Sequence, residues 1–114
     1  MIISHSTNQD VDIVTIGGRL VMADAAEARS SFNKIIADNA KKLVVDLSEI
    51  TFIDTSGLSV LISAYKMVRA KGGRMVLCGI PANVRMLLEL TRLNEIFELF
   101  ASTEAALAVI GQHD

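Results

Sequence analysis

The chain begins with an apolar pair, Ile2 and Ile3, and then turns polar, so a short first strand is predicted there. Residues 11–16 alternate apolar with polar and then close on Gly17-Gly18, which reads as a second strand pairing antiparallel with the first. Asp24, followed three residues later by Glu27, heads a capping box. Ala25, Ala28, Phe32 and Ile35 then recur on one helical face, so a helix is predicted over residues 25–38. Residues 43–47 form a short, branched, apolar run, the pattern of a strand buried on both faces of a parallel sheet. Residues 50–53 extend it towards a turn at Asp54-Thr55-Ser56-Gly57. A second helix then aligns Leu58, Leu61, Ile62, Tyr65 and Val68, and Gly72-Gly73 stops it. Residues 75–78 are another buried strand. Pro81 opens a third helix at a position that tolerates the missing N–H, with Val84, Leu87 and Leu88 inward. A strand at residues 98–100 and a helix over 103–110 complete the pattern. The expected fold is α/β: a mixed, mostly parallel central sheet of about five strands with about four helices, the first strand added antiparallel at one side.

At 114 residues, with no linker or repeat, the chain reads as a single domain spanning residues 1–114. It is 51% hydrophobic but only 4% aromatic, so the core must be aliphatic and base-stacking platforms are not expected. The formal charge of -2, with dispersed basic residues, argues against nucleic acid as a partner. The start lacks the charged and apolar regions of a signal peptide, and no apolar run approaches a membrane span. A cytoplasmic protein without a membrane partner is expected, and the single Cys78 suits a reducing compartment.

Candidate chemistry is sparse. His5 and His113 lie near opposite ends, without the spacing of a metal pair, and read as solvated residues; no metal or cofactor is expected. Cys78 falls within a predicted buried strand and reads as a packed structural thiol. Neither glycine pair belongs to a phosphate-binding loop, and Asp54 stands where a G-x-S-x-G elbow needs glycine, so no enzyme and no catalytic residues are expected.

Asp54-Thr55-Ser56-Gly57 differs, because it sets two hydroxyls at the start of an amphipathic helix, where unpaired N–H groups carry partial positive charge. One reading is a plain cap, with Ser56 or Thr55 capping and Gly57 easing the turn. The other makes a hydroxyl a phosphoacceptor, since a helix start tolerates the added charge that an acidic or apolar partner surface cannot. On the helical wheel, Ser56, Val60, Ser63 and Met67 lie opposite the predicted core face, with Ala64 beside them. Val60, Ala64 and Met67 are therefore expected to be wholly or partly exposed, and the strip Val60, Ser63, Ala64, Met67 to be a protein-binding surface.

The run from Leu43-Val44-Val45-Asp46-Leu47 through Phe52-Ile53-Asp54-Thr55-Ser56-Gly57-Leu58 to Gly72-Gly73-Arg74-Met75-Val76-Leu77 resembles the STAS domain, specifically the stand-alone bacterial anti-sigma factor antagonists. The resemblance runs from Gly18-Arg19-Leu20 to Leu93-Asn94-Glu95-Ile96-Phe97. It implies that Ser56, the hydroxyl before the glycine, is phosphorylated by a partner that is both anti-sigma factor and serine kinase of the histidine-kinase-like ATPase fold. A PP2C-type phosphatase would restore the free form, which binds the kinase and frees the sigma factor. Val21 departs from the acidic residue many such antagonists carry, removing a charge near the phosphorylation loop. The resemblance also extends to regulators of other targets and to STAS subunits of lipid-transport ABC systems, in which the hydroxyl would stay unmodified.

Overall fold

The computed structural model describes residues 1–38 and 40–111. Among them are six strands and four helices: β1 (Ile2–Asn8), β2 (Val11–Leu20), α1 (Ala25–Ala37), β3 (Lys42–Asp46), β4 (Ile50–Ile53), α2 (Thr55–Ala70), β5 (Arg74–Cys78), α3 (Ala82–Leu90), β6 (Glu98–Phe100) and α4 (Thr103–Ile110). The sheet runs β1-β2-β3-β5-β6, with β4 also on β2; β1 is antiparallel to β2 and every other pairing is parallel.

Several boundaries differ from the sequence pattern. β1 extends to Asn8, because an edge strand exposed on both sides needs no apolar alternation. β2 continues through Gly17-Gly18. Gly18 takes φ +78°, a conformation suited to glycine, and the register shifts just beyond it, so that Arg19 and Leu20 pair with residues 52 and 53. Residues 50–53 are therefore a strand of their own, the sixth. Asp24 does not cap α1 with its side chain; a 3-10 turn over Met22–Asp24 precedes the helix, and the Asp24 carboxylate accepts the Val21 N–H at 3.2 Å. Pro81 stands at the cap of α3, one position before its first turn.

β3 is buried on both faces, as its branched run predicts. Leu43, Val45 and Leu47 join the larger apolar cluster, which takes in residues of α1, α2 and α3. Val44 turns the other way, to Val76, Cys78 and the α4 residues Ala106 and Ile110. α2 ends where Gly72 adopts φ +76°. The N–H of Gly72 bonds to Arg69 O and that of Gly73 to Val68 O, both at 2.9 Å, so the double glycine closes the helix in a Schellman motif.

His5 is exposed on β1, and its Nε2 lies 2.7 Å from Asp12 Oδ1; His113 lies outside the described residues. Cys78 is fully buried, as expected of a packed thiol. Burial pushes its pKa up, partly countered by a hydrogen bond with Thr103. No described helix is long and apolar enough to cross a membrane.

Candidate phosphoacceptor site

β4 delivers the chain to the motif. Ile53 is buried, and Asp54, in extended conformation, is the N-cap of α2. Its carboxylate does two jobs: Oδ1 accepts the Gly57 N–H at 2.9 Å, and Oδ2 accepts the Met22 N–H at 3.1 Å, tying the first turn of α2 to the turn after β2. The cap is therefore Asp54, and neither Ser56 nor Thr55 serves as one. Aspartate is a strong cap because its charged oxygen meets both N–H donors and the positive helix end. Among the described residues, neither motif hydroxyl forms a hydrogen bond: Thr55 is exposed and Ser56 half-exposed.

Gly57 explains how tightly this turn is seated. A Cβ there would lie 2.4 Å from Leu20 O and 2.5 Å from Ile53 Cγ1, so only glycine lets α2 sit against the ends of β2 and β4. Gly57→Ala, which would gain about 1 kcal/mol from helix propensity alone, should instead destabilise by roughly 1–3 kcal/mol through overpacking. A denaturant titration checks the sign.

The expected exposure of Val60 and Ala64 is not what the structure shows. Val60 is 0% and Ala64 1% exposed, both within the larger core cluster; Ser63 and Met67 are half-exposed. At about 100° per residue, the buried arc of α2 centres on Gly57, Leu61, Ala64 and Val68, whereas the predicted face centres nearer Leu61 and Tyr65. The smallest side chains mark the closest approach, and a wheel weighted by large apolar residues points away from them. Tyr65 sits on the flank, edge-on to Phe97 at 5.3 Å between centroids.

Apolar surface does lie beside the motif, on the Thr55 side. Phe52, Met86 and Leu90 are 47%, 61% and 76% exposed, and with Ile53, Asp54, Thr55, Asn83 and Leu87 they line a groove of about 400 Å³. Arg19 stacks over Phe52 with its guanidinium carbon 5.8 Å from the ring centroid. Among the described residues, no group of three or more His, Cys, Asp or Glu could hold a metal.

The pattern that defines the STAS domain family matches residues 3–106. The chain belongs to the STAS domain family. Over 101 residues this STAS domain is 29% identical to a protein of Paenibacillus polymyxa named anti-sigma F factor antagonist, covering 88% of this chain and 86% of that one. An anti-sigma factor antagonist of Mycobacterium paratuberculosis shares its fold with a TM-score of 0.89 at 23% identity, covering 97% of this chain and 94% of that one. The Bacillus cell fate determinant SpoIIAA, solved in its phosphorylated form, superposes with a TM-score of 0.75 at 16% identity, covering 94% and 97%.

The groove is what the sequence reading of this STAS domain missed. A signal was present: α3 carries Val84, Met86, Leu87, Leu88 and Leu90, more apolar residues than one buried face uses. Val84 and Leu88 point into the core, and Met86 and Leu90 are left on the other side.

Proposed function

We propose that residues 1–114 act as one cytoplasmic domain, an anti-sigma factor antagonist whose grip on its partner is switched by phosphorylation of Ser56. The observation that carries this reading is that Asp54 discharges the capping role, leaving a half-exposed hydroxyl without a hydrogen-bond partner on the first turn of a rigidly seated helix. A serine needed as a cap would cost stability when modified; this one is spared. The name of the Paenibacillus polymyxa relative and the phosphorylated form of SpoIIAA support the same reading.

In this mechanism the unphosphorylated domain binds and sequesters an anti-sigma factor that is also a serine kinase of the histidine-kinase-like ATPase fold. That partner transfers the terminal phosphoryl group of ATP to Ser56 Oγ, whose proton leaves, and the complex separates. A PP2C-type phosphatase hydrolyses the phosphoester and resets the switch. Ser63 and Met67, on the same flank of α2 as Ser56, are partner-facing residues, and Val60 and Ala64 set the position of that flank from beneath. The apolar wall of Phe52, Met86 and Leu90 extends the surface on the Thr55 side. A phosphate at a helix start does not melt the helix, so the switch works through charge and desolvation at the interface.

The test is to incubate the purified chain with candidate kinases and ATP, measure intact mass, and locate the modification by tandem mass spectrometry. One phosphate on Ser56 is expected. A phosphate on Thr55 instead would reassign the acceptor, and an unmodified chain that docks on a transport ATPase would replace the antagonist reading with that of an ABC-system subunit.

A further inference from the structure

β1 differs from the other open margins of the sheet. β6 is three residues long, and on β4 the Thr51 carbonyl is taken by Asn83 Nδ2 at 3.0 Å. Short or covered edges resist pairing with another chain. β1 runs for seven residues, Ile2–Asn8, all but one of them exposed, and the strand it pairs with is β2. It contains no Lys, Arg, Asp, Glu or Pro, and its pairing with β2 runs unbroken by any bulge, so the devices that protect an edge are missing.

We propose that β1 is a self-pairing edge, through which two copies of this chain join their sheets antiparallel about a two-fold axis that passes between their two His5 residues. A second copy is the occupant because the strand is complementary to itself. A two-fold axis perpendicular to the sheet maps each face onto itself, so one residue must face its own copy across the axis; only pairing centred on His5, the middle of Ile2–Asn8, engages all seven positions. Ser4 then faces Ser6 of the second copy and Ile3 faces Thr7, matching small or β-branched uncharged side chains. His5 is held towards Asp12 of its own chain at 2.7 Å. No Lys, Arg, Asp or Glu lies along the edge to oppose such a pair, and His5, which faces its own copy, has the Asp12 carboxylate beside it. The area buried is small for a protein interface, so the dimer is weak and depends on concentration.

The experiment is light scattering across a concentration series of the full chain, with three sets of variants. The wild type should move from monomer to dimer as concentration rises. S4E/S6E puts like charges opposite one another twice over and should weaken the dimer about tenfold or more, whereas S4K/S6E, with opposite charges at the same places, should restore it. Under mild oxidation His5→Cys should cross-link to itself faster than Ser30→Cys, an exposed position on α1. Circular dichroism confirms that each variant is folded. A wild type monomeric throughout the series, a dimer indifferent to S4E/S6E, or equal cross-linking at positions 5 and 30 would each overturn the proposal.

Discussion

Val60→Asp should leave the protein unfolded or melting at least about 15 °C lower, the largest stability effect expected of any substitution on the exposed-looking side of α2. The side chain it replaces is fully buried in the larger cluster, among apolar neighbours. An ionised carboxylate there has no counter-charge, and burying one unpaired costs several kcal/mol. A domain of this size has a total stability of about 5–15 kcal/mol. Met67→Asp, two turns further along the same side of the helix and half-exposed, should cost only about 1 kcal/mol. Thermal unfolding of the two variants side by side shows whether that side of α2 is buried at Val60 and open at Met67. Equal melting temperatures would return Val60 to the surface.

Phosphorylation of Ser56 should weaken partner binding by about 30-fold to several thousand-fold, the range for placing an uncompensated charge in an interface, roughly 2–5 kcal/mol. The charge comes in at about -1.5 to -2, next to the committed carboxylate of Asp54 and a mostly apolar groove, and none of the groove-lining residues is cationic. Ser56→Ala should bind throughout and, because Asp54 is the cap, should lose well under 1 kcal/mol of stability. Ser56→Asp should fall between the two, since one carboxylate brings less charge and fewer acceptor oxygens. Calorimetric titration of the three forms against the partner reads the order. Equal affinities would mean that the modification does not govern association.

The α/β architecture was legible because its strongest signals are local. The branched run of β3, the double glycine after α2 and the apolar run of β5 each have one economical reading, and the structure has them all as expected. The site was half legible. Its motif stands where the pattern predicts, but the division of labour within it depends on Asp54 reaching Met22, a residue 32 positions earlier, which no spacing rule reveals. The burial of Val60 and Ala64 depends on how closely α2 approaches β2 and β4. That distance is set by Gly57, a residue that carries no apolar weight on a wheel. Residues 50–53 read as an extension of β3 towards the turn, and their standing as a separate strand was hidden because it depends on the shift at Gly18, beyond which the end of β2 pairs with β4.

The sheet has unequal cover on its two sides. Three helices share the larger cluster, while on the other side a single eight-residue helix, α4, covers Val44, Val76 and Cys78 with Ala106, Ile110 and the flank of Leu107, its first residue Thr103 bonded to Asp46. Opening is cheapest where buried contacts are fewest, so amide exchange should find α4 opening before α2, on the opposite side of the sheet. Cys78 beneath it is then a native sentinel: its thiol meets solvent when the thin layer parts, while the helix carrying Ser56 stays moored by Asp54 to the turn after β2.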